Sequence, residues 1–357
     1  MQHTNFVMLG LTGSGKTCYL LGMYKRMLAG MKGFTLTTDD DTDVDLRQRY
    51  ARLNDASLGP DRFPRPTDQA EVLNFLLNYA YSSIMSFDWI DYPGGHLENK
   101  NYGNAEEYQK LAAYIKKSSC LFICVDGELL KGDDDNEDKI DYIKDNCSSI
   151  INPFLEKYIN ENKYLPPIAI IVTKWDLCKD DVKDDDLIEI MREAFTPLFV
   201  EGNNSDRLVA IVPVSLGPNI SEEGNRGRLK PKNIQLPIYM GIWFSLYEYQ
   251  RQIEEEIAIN NHKIEYNNFV INKEKEKWFG FLRRDDKLIN SRNSYNKQIT
   301  NETSAKVEQL EKAWRDSQLL LETLKEKLPK TFFNGTPYES FEDAAEKYLL
   351  TRYSGDN

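Results

Sequence analysis

The chain has 357 residues, 41% of them hydrophobic, with 57 Asp and Glu against 45 Lys and Arg for a net charge of −12. That length can bury one large core and still carry an extension. The acidic balance argues against broad nucleic-acid or anionic-membrane binding, since both need a basic field.

Phe6-Val7-Met8-Leu9 is a short apolar run that predicts a buried strand. It leads into Gly10-Leu11-Thr12-Gly13-Ser14-Gly15-Lys16-Thr17, a complete G-x-x-x-x-G-K-S/T phosphate loop, and helical spacing follows from Cys18. The glycines let the backbone wrap closely with its N–H groups inward, and the helix N-terminus adds positive potential. Lys16 would reach the β- and γ-phosphates, and Thr17 would offer its hydroxyl to Mg²⁺. Strand, loop and helix together predict a nucleotide site.

Residues 29–66 form a long excursion before the next expected strand, Glu71 to Tyr79, an antiparallel partner of the strand after it. That next strand, from Ser86, ends in Asp91-Tyr92-Pro93-Gly94, a D-x-x-G pattern. Cys120 to Asp126 supplies a central strand, and residues 127–165 hold the acidic loop Asp133-Asp134-Asp135 and a helix. Ile168 to Thr173 is a further apolar strand, ending in the T-K-x-D run Thr173-Lys174-Trp175-Asp176. Leu208 to Ser215 is the last strand, followed by a polar loop over 216–236. Acidic runs such as Asp184-Asp185-Asp186 read as solvated loops and helix starts.

Phosphate loop, D-x-x-G and T-K-x-D, in that order, resemble the P-loop GTPases of the TRAFAC class with a Ras-like G domain. The resemblance covers roughly residues 5–250 and implies an α/β fold, a doubly wound, mostly parallel sheet. It implies GTP/GDP and Mg²⁺ as ligands. Gly10, Thr12, Gly13, Ser14, Gly15, Lys16, Thr17 and Cys18 would cradle the phosphates, and Thr17 and Asp91 would serve the metal. The Gly94 N–H would meet the γ-phosphate. Thr173 would stand where the family usually has Asn, the Lys174 stem would lie against the base, and Ser215 and Leu216 would touch it. Asp176 would accept from N1–H and the 2-amino group of guanine. Adenine offers an acceptor there and would leave the carboxylate unpaired.

The resemblance also calls for a first-switch threonine ligating the metal. Thr67, after Phe63-Pro64-Arg65-Pro66, is preferred because the prolines hold the chain extended; Thr35, Thr37, Thr38 and Thr42 compete. Many GTPases follow D-x-x-G with a Gln that orients the attacking water. Gly95 stands there instead, so GTP hydrolysis is expected to be slow or partner-stimulated. His96 is either a substitute base or an exposed loop residue. The D-Y-P-G form, long first switch and early start resemble bacterial GTPases of conflict and defence systems. The expectation is a nucleotide-dependent switch; the alternative is a weakly hydrolysing scaffold subunit of a multiprotein complex.

From Leu236 the pattern changes, giving expected domains at 1–245, 246–330 (a helical hairpin) and 331–357 (a tail helix). Trp243, Leu246, Gln250, Ile253, Ile257, Asn260, Ile264, Asn267 and Ile271 follow a 3-4 spacing, and Val307, Leu310, Trp314, Leu321, Leu324 and Leu328 mark a second segment. An antiparallel hairpin is predicted. Its turn carries Trp278, Phe279, Phe281 and Leu282, either packed back onto the protein or docking a protein partner. Contact with nucleic acid is not expected, membrane contact is disfavoured, and a homodimer stays open. In the tail, Phe341, Ala344, Ala345, Tyr348 and Leu349 predict an amphipathic helix.

Five cysteines, at 18, 120, 124, 147 and 178, form no C-x-x-C pair, which fits a reducing cytoplasm. The first strand begins too near Met1 for an expected signal peptide, and the apolar runs are too short to cross a bilayer.

Overall fold

The computed structural model describes residues 2–66, 69–98, 105–200, 206–218, 220, 229–276, 285–328 and 331–354. The chain divides into two compact units, residues 1–242 with 320–357, and residues 243–319.

The first unit is built on a nine-stranded sheet. Its strands are β1 (Gln2–Gly10), β2 (Phe34–Thr37), β3 (Glu71–Tyr79), β4 (Ser82–Asp91), β5 (Ser118–Asp126), β6 (Ile168–Thr173), β7 (Leu208–Pro213), β8 (Thr331–Phe333) and β9 (Thr336–Tyr338). They lie in the order β2-β3-β4-β1-β5-β6-β7-β8-β9. The central run from β4 to β7 pairs parallel throughout. At both edges the pairing is antiparallel. The sheet is therefore mixed, and the expected mostly parallel arrangement holds for its core strands alone.

Helices α1 (Lys16–Leu28), α2 (Asp40–Asn54), α3 (Gly94–Glu98), α4 (Ala105–Lys116), α5 (Asn136–Ile143), α6 (Ser149–Asn162), α7 (Asp184–Ala194) and α8 (Thr196–Phe199) connect these strands. Alternation along β1 sends Val7 and Leu9 into a buried cluster with α4, α6 and α7 residues such as Leu111, Phe154 and Ile190. Its other face carries Phe6, whose ring meets Phe87 and Phe122 at 4.6 and 5.8 Å. Tyr19 of α1 stacks on Trp89 there. Helix α9 (Leu236–Glu276) brings Gly241 so close to Phe6 that an added Cβ would lie 2.9 Å from its ring. Helices thus cover both faces of the sheet.

The acidic runs do begin helices. Asp39 caps α2 by accepting from the Thr42 N–H, Asp135 caps α5 in the same way, and Asp184, Asp185 and Asp186 fill the first turn of α7. Carboxylates there complement the positive end of the helix dipole. The excursion over 29–66 contains β2 and α2.

Residues 331–354 differ too, because β8 and β9 precede the expected helix. Val209 of β7 pairs with Phe332 of β8. Helix α11 (Phe341–Ser354) buries Phe341, Ala344, Ala345, Tyr348 and Leu349, and the Tyr348 hydroxyl donates to the Leu165 carbonyl at 3.1 Å.

In the second unit, α9 and α10 (Asp286–Lys327) run antiparallel. Gln250 donates to Ser317 at 3.0 Å, Asn260 to Thr303 at 3.3 Å and Asn267 to Asn296 at 2.8 Å. Leu246, Ile253, Ile271, Ile289 and Ile299 are buried apolar residues of this unit. Val307 and Trp314 are exposed instead of lining the seam between α9 and α10, because the polar pairs set the phase of α10. Among the described residues no helix is long and apolar enough to cross a membrane. Trp278, Phe279, Phe281 and Leu282 lie outside the described residues.

Candidate functional site

The parallel register brings the chemical groups to one edge. Met8 lies beside Asp91, Gly10 beside Cys124 and Asp126 beside Thr173, so β1, β4, β5 and β6 all end on the same side. Ligands of open α/β sheets bind at that carboxyl edge.

A cavity of about 440 Å³ opens there. Thr12, Gly13, Gly15, Lys16, Thr17 and Cys18 of the glycine loop line it, together with Thr173, Lys174, Asp176, Ser215 and Leu216. The glycine loop and the T-K-W-D turn therefore share one chamber.

The loop is held open from within. Gly13 and Gly15 have φ of 81° and 85°, a left-handed backbone that suits glycine, and Gly15 leads directly into α1. The Ser14 hydroxyl donates to the Leu11 carbonyl at 2.8 Å, so Ser14 braces the loop without lining the chamber. The Lys16 ammonium folds over the cradle and donates to the Gly10 and Leu11 carbonyls at 2.8 and 3.0 Å. Gly94 presses against the loop's outer turn, where an added Cβ would lie 2.2 Å from the Thr12 nitrogen. No larger residue fits at 94 without moving the cradle.

Behind Lys16 and Thr17 lies Asp91, which is fully buried. The Thr17 hydroxyl donates to its Oδ2 at 3.1 Å, and its Oδ1 has no hydrogen-bond partner. A hydroxyl beside a carboxylate with an unsatisfied oxygen is the hard-oxygen donor set that suits Mg²⁺, which also keeps waters and phosphate oxygens. The two residues fit that ion.

Burial pushes the Asp91 carboxyl up to about 6 from its ordinary 3.8, against the pull of Lys16 and the Thr17 hydroxyl. A carboxyl raised on folding costs nothing below its unfolded value, where both states are neutral. The penalty grows as pH climbs between the two values and is complete above the folded one. At one pKa unit per 1.36 kcal/mol, the ionised form costs about 3 kcal/mol at neutral pH. Asp91→Asn is accordingly expected to raise the melting temperature of the nucleotide-free protein by several degrees at pH 7.5, with little change at pH 4. Equal shifts at both pH values would show that the gain does not come from the buried charge.

In the T-K-W-D turn, Lys174 takes a left-handed conformation, φ 49°, which starts a tight turn over Trp175–Leu177. The Trp175 N–H donates to the Val214 carbonyl at 3.1 Å, fixing this turn to the strand end beside it. The Lys174 ammonium reaches Asp126 at 2.7 Å and Glu128 at 2.9 Å. Burial opposes its charge, but the hydrogen bonds and charges of the two carboxylates outweigh that and raise its pKa. The tethered head leaves the stem along the chamber wall. Asp176 is buried at the floor, and Leu216 packs against α1, within 2.4 Å of where a Gly22 Cβ would stand.

Thr173 has a role that sequence reasoning missed. Its hydroxyl lies 2.8 Å from the Ser14 carbonyl and 3.1 Å from that of Val125. It joins the glycine loop to β5 and to the strand that carries the T-K-W-D turn. Phe63, Pro64, Arg65 and Pro66 also line the chamber, as an extended segment. Arg62 is buried just before them; it donates to the Ile220 carbonyl, leaving Nη1 without a partner. The Pro-x-Pro spacing signalled the extended chain, but nothing in the sequence signalled that Arg62 would be buried.

Thr67 lies outside the described residues. Its competitors are placed elsewhere: Thr35 and Thr37 on β2, Thr42 on α2, and Thr38 donating to the Asn74 carbonyl at 2.7 Å. None of the four lines the chamber. His96 does not line it either. The α3 turn aims its ring edge-on to Tyr92 at 5.9 Å, with Nδ1 3.9 Å from the Glu107 carboxylate. The base role suggested for His96 is not supported by this placement. An added Cβ at Gly95 would meet open space.

No family model matches the chain, and no curated protein matches it. Among solved structures, the chain is similar to the GTPase-like domain of S. cerevisiae Ski7 bound to GTP, at 14% identity and a TM-score of 0.35. The alignment covers 63% of this chain and 46% of that one, so the chain spans less than half the length of that structure.

Proposed function

We propose that the chain binds GTP with Mg²⁺ in the chamber at the carboxyl edge of the sheet and hydrolyses it slowly. The observation that carries this reading is the shared cavity, lined by Gly13, Lys16 and Thr17 together with Asp176 and Ser215. A ligand spanning it needs several negative charges at one end and paired N–H donors facing a carboxylate at the other. GTP has both. ATP would bring the N1 acceptor against the Asp176 carboxylate, one acceptor facing another.

Lys16 and the loop N–H groups would hold the phosphates, Thr17 and Asp91 would hold the ion, and the ion would neutralise charge developing on the γ-phosphoryl group. No side chain at Gly95 orients the attacking water, and His96 is turned toward Glu107. This favours slow intrinsic turnover and gives weight to the second reading, a nucleotide-binding scaffold subunit. In the switch reading, the 63–66 segment and the Gly94 turn would tighten around the γ-phosphate, and the hairpin would pass that change to a protein partner. The finer placement among conflict-associated bacterial GTPases rests on the D-Y-P-G motif and the long excursion before β3.

Competition against a fluorescent guanine nucleotide tests the assignment. GTP should displace the probe at concentrations at least about a hundredfold below ATP. Equal displacement would refute base reading by Asp176. Phosphate release over hours then separates the two readings: a slow steady rate supports the enzyme, and no release supports the scaffold.

A further inference from the structure

The α9 half of the hairpin carries two stripes. One is the inner seam, where Gln250, Ile253, Asn260, Asn267, Ile271 and Glu274 are buried against α10. The other lies on the opposite face and consists of Glu255, Ile259, His262, Tyr266, Phe269 and Lys273, all exposed. These six are separated by alternating four- and three-residue steps, the spacing of a coiled-coil seam. Ile259, Tyr266 and Phe269 are 53%, 63% and 58% exposed. The hairpin thus mixes amides with isoleucines in its seam while three large apolar groups face solvent on its outer side, more than a self-sufficient hairpin requires.

The stripe has an internal symmetry. Glu255 and Lys273, Ile259 and Phe269, and His262 and Tyr266 are each disposed evenly about Ile264. If a second α9 lies antiparallel across the first, every member of the stripe meets its counterpart. Glu255 faces Lys273 at both ends, Ile259 faces Phe269 at two places, and His262 faces Tyr266 twice at the centre. In parallel alignment like charges would oppose each other at each end. The Lys273 ammonium already lies over the Phe269 ring at 5.4 Å, so it can shield the apolar centre while meeting a carboxylate.

We propose that this face is a self-association surface, occupied by α9 of a second copy of the chain in antiparallel register about Ile264. From Glu255 to Lys273 the contact runs about 27 Å along the helix at 1.5 Å per residue. Six side chains per copy make an interface below the standard size, so the dimer is weak, with dissociation at about 10–100 μM. It is also salt-sensitive, because its end pairs are exposed.

Sedimentation velocity of the full chain tests this by charge exchange. The wild type should shift toward twice its mass as concentration rises from about 5 to about 200 μM at low salt. E255K alone, or K273E alone, places like charges at both ends and should raise the dissociation constant about tenfold or more. The double variant E255K/K273E should restore wild-type association. An equimolar mixture of the two single variants should also associate, because one chain then has two positive ends and the other two negative ones. F269E should abolish the shift. Melting temperatures within a degree or so of wild type would show that these exposed substitutions leave the fold intact. A wild-type chain that stays monomeric throughout, or a mass shift indifferent to the exchanges, overturns the proposal.

Discussion

Lys16→Ala is expected to lower guanine-nucleotide affinity by about a hundredfold or more, read by titration of a fluorescent analogue. Without ligand, the ammonium is held by the Gly10 and Leu11 carbonyls at 2.8 and 3.0 Å. Those contacts keep a buried cation in place at the centre of the cradle. A phosphate oxygen entering there replaces neutral acceptors with charged ones, and charge-assisted bonds are roughly twice as strong. Alanine removes that gain and also weakens the positive field drawing phosphate inward. The fold should survive, because the loop keeps its own brace between Ser14 and the Leu11 carbonyl. Unchanged affinity in a folded variant would refute the assignment of the loop to phosphate.

Asp176→Asn should exchange base preference, weakening GTP by about a hundredfold and admitting xanthosine triphosphate in its place. The carboxylate offers only acceptors, matched to N1–H and the 2-amino group of guanine. An amide keeps one acceptor and adds a donor, which complements a ring carrying a carbonyl at position 2. The neighbours should hold, since the turn is fixed by Trp175 to Val214 and by Lys174 to Asp126. Displacement curves for the two nucleotides on one preparation decide the matter. Retained GTP preference would mean that position 176 does not read the base.

How much of this was legible beforehand depends on the range of the interactions. The phosphate loop was legible because its geometry is local: left-handed glycines at 13 and 15 followed at once by a helix. The strands ending at Gly10, Thr173 and Pro213 showed as apolar runs because they are buried on both faces, whereas the one ending at Asp91 is half-buried at alternate positions and was legible through its D-x-x-G end. β8 and β9 were not legible. Each has three residues, too few to show a period, and β8 is a strand only because β7 presents an open edge to it. The phase of α10 was not legible from its apolar residues, since Val307 and Trp314 are exposed. Thr303 and Ser317, bonded to Asn260 and Gln250, lie on its inward face instead. The His96 placement depends on Tyr92 and Glu107, neither of which the D-x-x-G motif specifies.

The hydroxyl of Thr173, wedged between the Ser14 and Val125 carbonyls, has a consequence for what the chamber can accept. It makes the gap between the two grips a fixed caliper, because neither jaw can drift without breaking that wedge. On the proposed reading a nucleotide would be gauged end to end, and one with the right base but too short a tail would leave one jaw closing on water. Selectivity for length and selectivity for base would then be a single property of the frame, set by one side chain that is bonded to the loop and lines the chamber between the two grips.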